Sequence, residues 1–288
     1  MLNRQKCLLF MIERAGRPVT RLELTKWAFL LAHEMPSGGG TAFYQFLPYQ
    51  YGPFSFCLYR EADALVRDGY LVEKEHFWCL VEDVPRPTAV LSGRVRDDAA
   101  GIVARFADKT PGALTDYVYE GFPWFTANSS IRRLRARPVA SAAVHTVGYE
   151  GWQVDGFLDM LMHAGIRRLI DVRSNPVARR YGFHKSTLHR LCGKVEIEYL
   201  HFPQLGIRSE FRRGLKGPAD YEALFARYER ETLAREAETV KRTAELMCGK
   251  PSALMCVEAD PQRCHRSRLA KAVVRVAALP VCHLGASG

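Results

Sequence analysis

The sequence predicts an α/β protein in two parts: a mostly parallel sheet domain, preceded by a helical domain with the outline of a winged helix. Three observations carry this. From residue 144 onward, short apolar runs of strand type alternate with helical periodicity, the pattern of a parallel sheet with crossover helices. The first 81 residues read instead as three helices and a hairpin. Between these parts, residues 129–143 (SSIRRLRARPVASAA) are basic and then small, the composition of a flexible linker. The expected boundaries are 1–128, 129–143 and 144–288, and 288 residues suffice for two separate cores.

The elements follow in order. Residues 2–15 place apolar side chains at helical spacing, and Gly16 with Pro18 breaks the run. Thr20 with Glu23 three residues on is a capping box, so a second helix starts there. Residues 42–55 are aromatic and turn-rich, 54–68 are helical, and 70–81 alternate as a hairpin does. After a break at residues 84–88, two helices over 97–109 and 113–119 close the first domain. In the second domain, strands are expected at 145–149, 168–173, 198–202, 253–258 and 281–284. Helices are expected at 154–164, 186–191, 219–247 and 267–278.

Composition narrows the function classes. No apolar run is long enough to span a membrane and the N-terminus lacks a signal-peptide pattern, so a cytoplasmic protein is expected. The eight cysteines show neither CxxC pairs nor framework spacing, which favours reduced thiols. The net charge of +10 is concentrated: residues 165–216 hold twelve Lys or Arg against four Asp or Glu. Such a stretch suits phosphates, in a nucleic acid or a nucleotide. Arg132, Arg133, Arg135 and Arg137 of the linker, and Arg180, are candidates for contact with a nucleic-acid backbone.

The densest chemistry lies at residues 253–268, where a strand, a turn and a helix bring together Cys256, Glu258, Cys264, His265 and Arg266. Asp171 and Arg173 end another strand. In a parallel sheet both carboxylates reach the same edge, where α/β proteins collect ligands. Two family resemblances come with these residues. Tyr51-Gly52-Pro53, flanked by Tyr49, Phe54 and Tyr59, resembles the tyrosine-glycine-proline domains of Panacea-type antitoxins; this implies a winged-helix module for DNA or a protein partner. Tyr149, Asp171 with Arg173 and Arg179, Tyr199, and Cys256-Val-Glu258 with Cys264-His-Arg266 resemble the domain of unknown function 488 family over residues 144–284. That resemblance implies a Rossmann-like fold and no established activity.

Three chemistries compete for the site. Metal binding by Cys256, Cys264 and His265 is disfavoured, because adjacent Cys-His ligands without a CxxC pair make a tetrahedral zinc site awkward; no metal and no cofactor is expected. A nucleophilic Cys264 would draw a lowered pKa from His265, Arg266 and a helix N-terminus. The third reading uses the acids. Glu258 and Asp171 act as base and electrostatic partner, His265 orients or donates a proton, and Arg173, Arg179 and Arg266 hold phosphates. Tyr149, Tyr181 and Trp152 offer faces for a flipped base. The expected function is hydrolysis of an N-glycosidic bond of a modified or damaged base in DNA. The alternative is a non-enzymatic DNA-binding regulator whose α/β domain senses a phosphorylated ligand; DNA and a nucleotide ligand are the expected partners.

Overall fold

The computed structural model describes residues 1–82, 84, 90–212, 214–215 and 217–285; the break expected at Pro85–Thr88 lies outside them. The chain divides into two compact units, residues 1–136 and 137–288. The protein is a mixed α/β chain in which one unit is mainly helical and the other holds a five-stranded parallel sheet.

In the first unit, α1 (Asn3–Ala15) ends at Gly16, whose φ of 64° suits a residue without Cβ. Helix α2 (Arg21–Glu34) starts at the capping box: Thr20 accepts from the Glu23 amide, and Glu23 accepts from the Thr20 amide. Two-residue strand β1 (Val19–Thr20) pairs with β5 (Phe77–Leu80), which also pairs with β4 (Leu71–Lys74) after α3 (Phe56–Arg67). Helices α4 (Gly93–Phe106) and α5 (Pro111–Gly121) pack on α2. The aromatic stretch expected to be only turn-rich forms a second hairpin, β2 (Leu47–Tyr49) and β3 (Gly52–Phe54).

That hairpin is held from inside by Lys26, which is 1% exposed. Its ammonium donates to the Tyr51 carbonyl at 2.8 Å and faces the Tyr119 ring. Gly52 has φ +98°, and a Cβ there would come within 2.7 Å of Tyr119, so the middle residue of the Tyr-Gly-Pro turn tolerates no side chain. Burial lowers the Lys26 pKa from 10.5 to about 8. Between those values the unfolded chain binds the proton and the folded chain does not, so stability rises with pH across this window. The contribution is on the order of 3 kcal/mol. The expected outcome is that Lys26→Met removes this rise. It is checked by the parent-minus-variant difference in unfolding free energy at pH 7 and pH 10.5, and an unchanged difference would contradict it.

In the second unit, five strands alternate with helices. They are β6 (Val144–Gly148), β7 (Arg168–Asp171), β8 (Glu198–His201), β9 (Ser252–Cys256) and β10 (Val281–Leu284). Their order is β10-β6-β9-β7-β8, and every pairing is parallel. Strands β6, β7 and β9 are buried along their whole length, as inner strands of a parallel sheet covered on both faces are, although β6 (VHTVG) and β7 (RLID) carry polar residues among the apolar ones. Helices α6 (Val154–His163), α7 (Lys185–Lys194), α9 (Ala237–Gly249) and α10 (Arg266–Ala277) accompany them. The long helical region expected over 219–247 is divided into α8 (Pro218–Arg227), a π-helical turn (Tyr228–Leu233) and α9. The turn places Tyr228 inward, where its hydroxyl donates to the Leu205 carbonyl at 2.7 Å.

The stretch 129–143 corrects the expectation of a flexible linker. The Ser130 amide donates to the Gln50 carbonyl, and the Leu134 amide to the Thr126 hydroxyl, so residues up to 136 are tied to the first unit. Arg137 is buried in the second unit and donates to the Val195 and Ile166 carbonyls, which removes it from any phosphate backbone. Arg132, Arg133 and Arg135 are exposed, and Arg132 pairs with Asp116.

Candidate functional site

The carboxyl ends of β6, β7 and β9 border a cavity of about 150 Å³ whose walls include Tyr149, Arg173, Asn175, Ser209, Arg212 and Cys256. It shares Ser174, Asn175, Ile207 and Ser209 with a larger cleft of about 860 Å³ that runs toward Phe211 and Tyr228. Parallel pairing of β7 with β9 sets Asp171 opposite Met255, so Asp171 and Glu258 do lie at one edge of the sheet. They do not share one environment.

Asp171 is fully buried and its oxygens are engaged. One accepts from the Arg173 amide and Nε, the other from Arg173 Nη2 and the Tyr199 hydroxyl, both at 2.6 Å. Burial works against the Arg173 charge, but hydrogen bonds and attraction from Asp171 outweigh it and raise its pKa. Tyr199 is pushed up as well, by burial and by the Asp171 charge. Asp171 is therefore a poor candidate for activating water; it holds Arg173, a residue that lines the smaller cavity. The electrostatic partner expected here meets Arg173 and Tyr199 rather than the cavity itself.

Glu258 is set differently, because the loop carrying it is braced. Gly148 lets that loop approach β6: a Cβ at Gly148 would lie 1.8 Å from the Glu258 carbonyl oxygen. The Ala259 amide donates to Glu150, and Arg266 donates to the carbonyls of Glu258 and Ala259. Arg266 is 1% exposed, and its third partner is the Thr146 hydroxyl. The expectation that it holds phosphate is thus corrected: its donors are spent on the backbone of the loop.

The Glu258 side chain, 26% exposed, accepts from Arg212 at 2.7 Å and from the Cys256 thiol at 3.4 Å. Burial opposes its charge, yet the adjacent Arg212 guanidinium above all holds its carboxyl below the usual carboxylate range. Arg212 also donates to His265 Nδ1 at 3.0 Å. Since a guanidinium can only donate, Nδ1 accepts and Nε2 carries the proton, facing the Val172 carbonyl at 3.4 Å.

Cys264 is 1% exposed, and burial pushes its thiol well above the ordinary range. This is the reverse of the exposed, lowered thiol expected of a nucleophile. Tyr149 is stacked on Phe183 at 4.3 Å and lies under Arg173, so one of its faces is already covered. Arg179 and Arg180 are exposed beyond β7 and Arg180 donates to the Trp152 carbonyl; neither they nor the half-buried Tyr181 line the two cavities. Arg212 is the residue that sequence reasoning missed. Its only signal is its place in the basic stretch, because it comes from a 3-10 turn (Ser209–Arg212) between β8 and α8 rather than from a strand end.

Fold and site together define a parallel α/β unit with an arginine-lined cavity and two carboxylates at the carboxyl edge of its sheet, Asp171 buried against Arg173 and Glu258 partly exposed beside Arg212. Within this unit, residues 153–273 match the family model described as Domain of unknown function DUF488. No curated protein and no solved structure matches the chain. Among the described residues no helix is long and apolar enough to cross a membrane.

Proposed function

We propose that the chain is an enzyme acting on DNA, hydrolysing the N-glycosidic bond of a modified or damaged base. The observation that carries the reading is Glu258, a carboxylate kept ionised by Arg212, which lines the smaller cavity together with Arg173. A cavity lined by arginines attracts a phosphate-bearing substrate, and a carboxylate next to its lining residues Arg212 and Cys256 meets the positive charge that grows on a sugar as the base departs. Glu258 takes a proton from water as the water oxygen bonds to C1′. The C1′–N bond breaks with its electron pair on the base, which takes a proton from solvent as it leaves. Asp171 acts through Arg173, and Arg266 through the loop that presents Glu258.

The first unit supports the choice of polymer. Helices α1, α2 and α3 followed by the β4–β5 hairpin have the element order of a winged helix, which supports that reading, and exposed Arg132, Arg133 and Arg135 follow them in the chain. We read this unit as the module that delivers the enzyme to DNA.

The test compares affinity for two duplexes that differ at one nucleotide, a cationic pyrrolidine analogue of the abasic sugar or a neutral tetrahydrofuran. Binding tighter by roughly tenfold or more for the cation is expected, with the preference lost in Glu258→Gln. Equal affinity of the parent for both duplexes would remove the glycosidic reading and leave a DNA-binding regulator.

A further inference from the structure

Spacing alone makes adjacent Cys-His ligands awkward for a metal, and the fold removes that difficulty. Cys264 has extended backbone (φ −129°, ψ 135°), whereas His265 is already in the helical region (φ −59°, ψ −19°) at the start of α10. The bend between them turns two adjacent side chains to one side. There they meet Cys256, the last residue of β9, and the sulfurs of Cys256 and Cys264 and a ring nitrogen of His265 lie within 4.8 Å of one another. Among the described residues this is the one such group of potential ligands. All three residues are at most 1% exposed.

We propose that Cys256, Cys264 and His265 form a binding site for a zinc ion, open on its fourth side toward the cleft. Two sulfurs and one imidazole are the ligands that favour zinc over magnesium or calcium, and three protein ligands with one open position is the arrangement of a zinc ion that holds water or substrate. Three details fit. His265 Nδ1 lies 3.8 Å from the Cys256 sulfur, close to the separation of two atoms bound to one tetrahedral ion. Its Nε2 faces the Val172 carbonyl, the outer partner that fixes a metal-binding imidazole with its free lone pair inward. Cys256 lines the cavity, and the Glu258 carboxylate lies 3.4 Å from its sulfur, within reach of a water on the ion.

One group opposes the ion. The Arg212 guanidinium donates to both Glu258 and His265 Nδ1 and so occupies the approach a dication would take. Its side chain is 31% exposed and lines the smaller cavity, so zinc entry displaces it outward. Binding exchanges the two thiol protons for the metal and releases them to solvent. The site stands independently of the glycosidic reading, since it follows from ligand geometry.

The experiment uses the full chain. After loading with zinc and gel filtration, one tightly held zinc per chain is expected, and cobalt loading gives thiolate-to-cobalt charge-transfer absorption. Cys256→Ser and Cys264→Ser reduce bound metal to background, while Cys248→Ser, at an exposed cysteine elsewhere, retains it. Arg212→Ala tightens binding, by roughly tenfold, because a like charge is gone. If the cysteine variants fail to fold, the unmodified chain decides by itself: no retained zinc and no charge-transfer absorption with cobalt overturns the site. Retention of metal by folded Cys256→Ser or Cys264→Ser overturns it equally.

Discussion

Asp171→Ala lowers the unfolding free energy by about 3–5 kcal/mol, the usual cost of removing one partner from a buried ion pair. The size follows from what remains. Arg173 is 5% exposed, and without the carboxylate its guanidinium loses both carboxylate oxygens and keeps the Phe183 carbonyl, while the Tyr199 hydroxyl loses its acceptor. The loss comes from stranding a charge rather than from the worth of the pair. Asp171→Leu combined with Arg173→Met therefore costs less than Asp171→Ala alone. Urea unfolding of the three proteins checks both statements. A cost under about 1 kcal/mol for the single variant, or a double variant less stable than the single, would contradict the account.

On the proposed reaction, Glu258→Gln lowers the single-turnover rate of base release by about 10²–10⁴-fold, the range for loss of a general base. The amide keeps the shape of the carboxylate and fits the same loop, which is held by Gly148, Glu150 and Arg266 rather than by the Glu258 side chain. DNA affinity is therefore retained, and the loss appears in the chemical step. A parallel fall in binding would mean that the substitution disturbs the fold. An unchanged rate would take the base role from Glu258.

These two residues show what could be read from the sequence. The alternation of strand and helix after residue 144 placed Asp171 and Glu258 at one sheet edge, since side by side parallel strands end together. Their inequality was not legible. It depends on Tyr199, two residues before His201, the register partner of Asp171, and on Arg212 from a 3-10 turn without periodic signal. The Thr20–Glu23 capping box was legible because both partners lie within one helical turn. The β2–β3 hairpin was not, because Lys26 on α2 and Tyr119 on α5 hold it from distant parts of the chain. Arginines were visible as charges; that Arg266 and Arg137 spend theirs on backbone carbonyls is a matter of tertiary placement.

The most direct measurement of the central claim is incubation of the chain with double-stranded DNA containing alkylated and otherwise modified bases, scored for free base and for alkali-labile abasic sites. Glu258→Gln is run alongside at matched DNA occupancy. The account predicts free base and abasic sites in equal amounts from the parent, and neither above background from the variant. No released base from any substrate, with salt-sensitive DNA binding the same in both proteins, would contradict it.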